Sequence, residues 1–265
     1  MPLNSWDPLG YVHEQPTPSC LLRLKKDIAD FASQPPPGLY ISPEEADITR
    51  VHALIVGPSG TPYEGGFFQF FMKFPPQYPI SPPRVRIMTT DAGRVRFNPN
   101  LYAHGKVCLS ILGTWQGPPW SPAQGIESVL MSIQSLMNEK PYCNEPKFQN
   151  TQSSVIGCYN NFIQHETIRV AVCGQVEAAL QDSAECPTVF REVILKSFAE
   201  AYDKYEEIVK AQLHLTGSTM RGLFAECGRF EYDKLLLRLQ LLKERVEHKM
   251  HAIAANTVAA TSATS

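Results

Sequence analysis

Residues 97–112 read Phe97-Asn98-Pro99-Asn100-Leu101-Tyr102-Ala103-His104-Gly105-Lys106-Val107-Cys108-Leu109-Ser110-Ile111-Leu112. This stretch places a single cysteine, Cys108, among apolar residues. A cysteine in such a setting is most often a small buried hydrophobic residue. No histidine or aspartate nearby has the spacing of a thiol-protease signature. The residues alone therefore leave open whether Cys108 is structural or reactive.

The segments before and just after this stretch predict an α+β protein. A first helix is predicted at 20–33 from its apolar periodicity. Strand-like runs separated by short turns then indicate an antiparallel meander, at 49–56, 67–74 and 84–88. A long irregular stretch, 89–122, leads to a second helix at 123–137, for which Ser121 is the expected N-cap and Pro122 the first helical residue.

The C-terminal part of the chain is predicted to be helical. Apolar periodicity indicates three helices, at 155–181, 188–215 and 231–253. The last helix carries a narrow apolar seam of Leu235, Leu239, Leu242 and Val246. This seam could pair with another chain, but packing back on the same chain is the favoured use, because too few heptads follow for a stable coiled coil.

Composition limits the classes of function. The chain has 265 residues and a net charge of −2, which gives no general attraction to nucleic acid or acidic lipid. Its 7 cysteines lack paired spacing, which indicates reduced thiols rather than a disulfide framework or a zinc site. His165-Glu166 is not followed by a second histidine at metalloprotease spacing. No stretch is long enough to cross a membrane. We therefore expect a soluble protein of the cytoplasm and nucleus, without metal or cofactor.

Five short blocks occur in one order along the chain. They are Thr61-Pro62-Tyr63-Glu64-Gly65-Gly66-x-Phe68, Phe74-Pro75-x-x-Tyr78-Pro79-x-x-Pro82-Pro83, Asn98-Pro99-Asn100, Gly105-x-x-Cys108-Leu109-x-Ile111-Leu112 and Trp120-Ser121-Pro122-Ala123. Together they resemble the catalytic core of the ubiquitin-conjugating (UBC) enzyme family over about residues 21–149. The inserts and the C-terminal helices are most similar to the Z-type members of that family.

This resemblance implies a UBC-like fold and a role for three residues. Cys108 would accept the modifier as a thioester, a reaction suited to a thiolate nucleophile. Asn100 stands where the family has the Asn of its His-Pro-Asn motif, and would support the oxyanion formed during aminolysis or hold the loop that does. Glu145 would orient the incoming lysine, although a solvated loop acid is an equally good interpretation.

The resemblance also implies supporting residues and contact surfaces. Asn98, Pro99, Leu109 and Ser110 would support the modifier or the loop, with Asn98 replacing the family's His and Ser110 replacing an Asp of many members. The first helix would meet the activating enzyme through Arg23, Lys25 and Lys26. Ligases would contact Ile80, Pro122 and Ala123. Trp115 could serve as a binding anchor or pack its own loop.

The predicted organisation has four parts: a flexible Pro-rich arm at 1–18, a catalytic core at 19–165, a helical extension packed on the core at 166–253, and a disordered tail at 254–265. The implied partners are ubiquitin or a ubiquitin-like protein, an activating enzyme, ligases and protein substrates. The chain would act as a monomer, without nucleic acid or membrane. Two alternatives are a catalytically inactive ubiquitin-binding scaffold and a thiol hydrolase, the latter lacking an evident Cys/His pair.

Overall fold

The structure, a computed structural model, describes residues 5–181 and 186–262. A four-stranded antiparallel sheet has the order β1-β2-β3-β4, and its strands are Leu39–Pro43, Arg50–Val56, Phe67–Lys73 and Arg84–Ile87. Ala53 of β2 pairs with Phe70 of β3, which pairs in turn with Ile87 of β4. The predicted meander is confirmed. Strand β1 was not predicted. It is only five residues long and ends at a proline, a residue that disfavours strands except at the edge of a sheet.

Two helices share one hydrophobic core with the sheet. Helix α1 covers Pro18–Ser33, and Thr17 caps it by accepting the Cys20 N–H at 3.2 Å. Helix α2 covers Ile126–Leu136 and begins after Gly125. The predictions that Ser121 caps α2 and that Pro122 is its first helical residue are both wrong. The Ser121 N–H instead donates to Gln124 Oε1 at 2.9 Å, which closes a turn ahead of the helix.

The C-terminal part is largely helical, as predicted. Helix α3 (Ser153–Glu166) continues through a π-helical segment (Thr167–Gly174) into α4 (Gln175–Leu180). Helices α5 and α6 cover Thr188–Ala211 and Tyr232–Ser262. A hairpin of β5 (Thr219–Arg221) and β6 (Glu226–Arg229) lies between them and was missed, because its strands are too short to show periodicity. Of the tail predicted to be disordered, 254–262 continue α6, and 263–265 lie outside the described residues.

The C-terminal helices pack on the sheet side of the core. Gln69 of β3 donates to Gln175 at 2.6 Å, and Tyr205 Oη of α5 donates to the Gly65 carbonyl at 2.8 Å. A Cβ on Gly65 would lie 2.7 Å from the Tyr205 ring, so this approach requires glycine. The α6 seam residues Leu235, Leu239, Leu242 and Val246 are buried. The seam therefore packs within the chain and is not left for pairing with another one.

The described part of the N-terminal arm, residues 5–17, lies against the sheet, where the sequence predicted a flexible segment. Arg86 pairs with Asp7 at 2.6 Å and Arg84 with Glu14 at 2.7 Å. The buried Lys73 Nζ also donates to the Glu14 carbonyl, at 3.2 Å. These basic side chains of β3 and β4 contact residues that are far away in sequence. Hydrophobic periodicity does not reveal such contacts. In the described ranges no helix is long and apolar enough to cross a membrane, and no cluster of side chains could hold a metal ion.

Candidate active site

Asn98 is the centre of a buried hydrogen-bond network. Its Nδ2 donates to Tyr63 Oη at 2.9 Å and to the Leu136 carbonyl at 2.8 Å. Its Oδ1 accepts from the Asn100 backbone N–H at 2.9 Å and from Asn144 Nδ2 at 3.3 Å. Both the nitrogen and the oxygen of this fully buried amide thus have hydrogen-bond partners, as burial of a polar group requires. Asn98 therefore holds the loop that follows it.

Two hydrogen bonds join Asn100 to Cys108, the two residues that the sequence analysis singled out eight positions apart. The Cys108 N–H donates to the Asn100 carbonyl at 2.9 Å. Asn100 Nδ2 donates to the Cys108 carbonyl at 3.0 Å. The Asn100 amide thus holds the loop on which the cysteine lies. This contact supports the interpretation that Asn100 holds the loop.

Cys108 is only 2% exposed. Burial raises the pKa of its thiol, and the charges of Lys106 and Arg96 and a hydrogen bond from Tyr102 partly oppose that rise. Burial disfavours the thiolate, which is the nucleophilic form. Within the described residues, no histidine forms a hydrogen bond with this thiol. The site accordingly holds a restrained thiol rather than a Cys/His pair.

The segment after Cys108 is fastened by Thr114, which sequence reasoning missed. Thr114 Oγ1 accepts the Leu109 N–H at 2.9 Å and donates to the Val107 carbonyl at 2.7 Å. The chain then turns back over Ser110, since a Cβ at Gly117 would lie 2.9 Å from Ser110 Cβ. The inserted loop with the exposed Trp115 therefore lies beside the cysteine.

Glu145 follows a residue of the Asn98 network. The neighbouring Asn144 donates to Asn98 and to the Leu136 carbonyl, the latter at 2.8 Å. Glu145 itself is half-buried, and in the described part of the chain its carboxylate has no hydrogen-bond or ion-pair partner. The carboxylate is thus available at the edge of the site, while Asn144 and Tyr63 are the structural residues that sequence reasoning did not find. An isolated Asn or Tyr in a loop carries no signal of such a role.

The predicted contact residues fall into two groups. Lys25, Lys26, Ile80, Pro122 and Ala123 are exposed, as a contact surface requires. Arg23 is instead held by its own chain. It pairs with Asp27 at 2.8 Å and donates to the carbonyls of Pro122 and Gln124 at 2.6 and 2.7 Å. Arg23 thereby ties α1 to the loop that precedes α2.

Comparison with known proteins identifies the family. The ubiquitin-conjugating enzyme family model matches residues 23–165. The human protein "Ubiquitin-conjugating enzyme E2 Z" is 53% identical over 254 residues, which cover 94% of this chain and 71% of that protein. The zebrafish protein of the same name is 51% identical, over 93% of this chain and 75% of its own length. The chain belongs to the ubiquitin-conjugating enzyme family.

The family extends to much larger proteins. The human "Dual E2 ubiquitin-conjugating enzyme/E3 ubiquitin-protein ligase BIRC6" is 42% identical over 165 residues, or 58% of this chain and 3% of its own length. As a member of the ubiquitin-conjugating enzyme family, the chain is a transferase. Its Asn98 departs from the family's His-Pro-Asn motif but keeps both a donor and an acceptor at that position. Asn98 therefore provides a hydrogen-bonded anchor for the loop that carries Asn100.

Proposed function

We propose that this enzyme accepts ubiquitin, or a ubiquitin-like modifier, from an activating enzyme as a thioester on Cys108 and transfers it to a substrate lysine, usually with a ligase. The observation that carries the proposal is the mutual hydrogen bonding of Asn100 and Cys108, at 2.9 and 3.0 Å, inside the segment that matches the family. This pairing fixes the position of the thiol without a base beside it. Such an arrangement suits a carrier, because an adjacent base would also activate water.

The first step exchanges one thioester for another. The Cys108 thiolate attacks the carbonyl carbon of the modifier's C-terminal glycine and forms a new C–S bond. The C–S bond to the activating enzyme breaks, and that enzyme's sulfur leaves as a thiolate that takes up a proton. The exchange is nearly balanced in energy, because one thioester replaces another. The burial that raises the Cys108 pKa limits the rate of attack and does not change this balance.

The second step transfers the acyl group to nitrogen. A deprotonated substrate lysine attacks the same carbonyl carbon, a C–N bond forms, and the Cys108 sulfur leaves. The amine proton passes to solvent or to Glu145, the unpartnered carboxylate at the edge of the site. Asn100 holds the loop during the attack, and rotation of its amide would let it donate to the oxyanion. Loss of one such donor costs about 10²–10³ in rate.

The remaining assignments also belong to this proposal. Exposed Lys25 and Lys26 of α1 would meet the activating enzyme, and exposed Ile80, Pro122 and Ala123 would meet ligases. A monomer is supported by burial of the α6 seam within the chain. The seven free cysteines support work in the reducing cytoplasm and nucleus. The small net charge of −2 supports the exclusion of nucleic acid as a partner.

The test is a charging assay. The full chain is incubated with ATP, ubiquitin or a ubiquitin-like protein, and a panel of activating enzymes, and is resolved without reducing agent. A thiol-sensitive adduct is expected in the wild type and in Cys158→Ala, which removes an exposed cysteine, but not in Cys108→Ala. Noncovalent ubiquitin binding without any adduct would favour the inactive scaffold instead. Release of free modifier faster than its transfer to lysine would favour the hydrolase.

A further inference from the structure

Arg96 donates two hydrogen bonds to the backbone of the loop that carries Asn100. Its Nη2 donates to the Pro99 carbonyl at 2.5 Å, and its Nε donates to the Asn98 carbonyl at 3.3 Å. Two successive carbonyls of the loop are thus held by one planar fork. A lysine could not reproduce this contact, since its ammonium lacks the fixed geometry of the guanidinium.

The same guanidinium contacts two aromatic rings. The first is Tyr102, whose ring centroid is 3.8 Å from the Arg96 carbon Cζ, and Tyr102 also lowers the pKa of the Cys108 thiol. The second is Phe224, at 5.5 Å. Both distances are within the range of cation–π attraction. Arg96 thus contacts a residue of the segment between Asn100 and Cys108 and a residue of the C-terminal extension.

Phe224 lies at the tip of the β5–β6 hairpin. The Gly222 N–H donates to the Ala225 carbonyl at 2.9 Å and closes the turn that presents this ring. Phe224 is 71% exposed, an unusual exposure for a phenylalanine. Its other aromatic neighbour is Phe148, at 6.3 Å, in the segment just after Glu145. The hairpin tip therefore reaches the edge of the active site.

The charge of Arg96 is not neutralised locally. Among the residues that the structure describes, no carboxylate pairs with its guanidinium, whereas Arg94 nearby pairs with Asp91 at 2.5 Å. Burial raises the Cys108 pKa, and the charge of Lys106 and, after it, that of Arg96 oppose this rise. An unpaired, half-buried cation acts on a neighbouring thiol more strongly than one already matched by an acid.

We propose that Arg96 is a positioning residue for the transfer reaction, and that the hairpin tip Phe224 holds it against Tyr102 and the Asn98–Asn100 loop. The C-terminal extension thereby sets the reactivity of Cys108 as well as covering the sheet. This inference rests on the proposed function for its consequences in catalysis. The effect of Arg96 on the reactivity of the Cys108 thiol can, however, be measured without any activating enzyme.

The first experiment measures the thiol directly. The full chain is alkylated with iodoacetamide between about pH 6.5 and 10, and modification of Cys108 is followed by peptide mapping. The thiolate displaces iodide, so the rate reports the thiolate fraction. In Arg96→Gln, the Cys108 profile should move to higher pH, with alkylation about 5-fold slower at pH 7.5. The control Arg94→Gln, an exposed and acid-paired arginine, should match the wild type. An unmoved Arg96→Gln profile would overturn the proposal.

The second experiment separates charge from geometry. Arg96→Lys keeps the cation but loses the fork, so its alkylation profile should stay close to that of the wild type. Its single-turnover charging by an activating enzyme should nevertheless be about 5-fold slower, because the loop is held less firmly. This milder variant also keeps the test open if Arg96→Gln does not fold. A charging rate of Arg96→Lys equal to that of the wild type would contradict the positioning role.

The third experiment tests the hairpin. Phe224→Ala should slow charging about 3-fold in the wild-type background and should have no further effect in the Arg96→Gln background. The control Leu237→Ala removes a side chain on α6 that is also exposed, at 62%, and should have no effect. Independent, multiplicative effects of Phe224 and Arg96 would refute the link. If the wild type forms no adduct at all, the proposed function fails, while the alkylation profiles still decide whether Arg96 controls the thiol.

Discussion

Asn98 Oδ1 accepts the backbone N–H of Asn100 at 2.9 Å. This short contact joins the loop that carries Asn100, the proposed oxyanion donor, to a side chain that is fully buried. Through its Nδ2, the same side chain reaches Tyr63 and the end of α2. The position of the loop is therefore set from the interior of the protein and not from its surface.

Replacing Asn98 by alanine should strongly destabilise the protein. The change leaves the Asn100 N–H without its acceptor and removes one of the two hydrogen bonds made by Tyr63 Oη and by the Leu136 carbonyl, so we expect the free energy of unfolding to fall by about 3 kcal/mol. Urea denaturation measures this loss, with the exposed Asn150→Ala as the control. A loss no larger than that of the control would show that water replaces the network at no cost.

Replacing Thr114 by valine should slow charging with little change of shape. Valine lacks the hydroxyl that bridges the Leu109 N–H and the Val107 carbonyl, so both sides of Cys108 lose an anchor. We expect a decrease of about 1–2 kcal/mol in stability and a slower single-turnover charging rate. Thr114→Ser keeps the hydroxyl and should behave like the wild type. Equal rates for the valine and serine variants would exclude the bridge as the cause.

Lys73 is completely buried and is paired with Asp47 at 2.9 Å. Replacing Asp47 by asparagine leaves the ammonium in the interior without its countercharge, and we expect a loss of about 3 kcal/mol. The further change Lys73→Met should recover part of that loss, because an apolar chain of similar length then fills the site. Thermal unfolding of the single and double variants measures both effects. The expectation fails if the double variant is less stable than Asp47→Asn.

Glu166 should make stability depend on pH in the acid range. Burial opposes its ionisation, but hydrogen bonds and charge from His165 and Arg169 prevail and hold its pKa below the usual value of 4.5. Since the folded pKa is the lower one, the contribution of Glu166 is complete above the unfolded pKa and is lost as the pH falls through the folded one. The stability of Glu166→Gln should therefore fall furthest below that of the wild type at pH values above 4.5, and this difference should shrink as the pH falls below 4.5. The exposed Glu200→Gln serves as control, and a constant difference across this range would contradict the assignment.

Local patterns and ordered motifs allowed the sheet, the helices and the Asn100–Cys108 pair to be predicted, because each depends on residues close in sequence. Contacts between distant segments were missed. Arg23 was assigned to an external surface, yet its partners are carbonyls about a hundred residues away. Likewise, nothing around Phe224 indicates that a short hairpin brings it to Arg96. A side chain's partner is set by the tertiary fold, which periodicity does not contain.

Every residue of β3 is buried, on both faces of the strand. The segments that cover it include the arm, through the Lys73 contact with Glu14, and the C-terminal helices, through Gln69 and Gln175. Both covers lie outside residues 23–165, the span that the family model delimits. The segment that matches the family is thus shorter than the segment that is needed to cover the hydrophobic core. A fragment cut at the module's borders would present a phenylalanine-rich strand to water, and we expect it to aggregate rather than to yield a minimal enzyme.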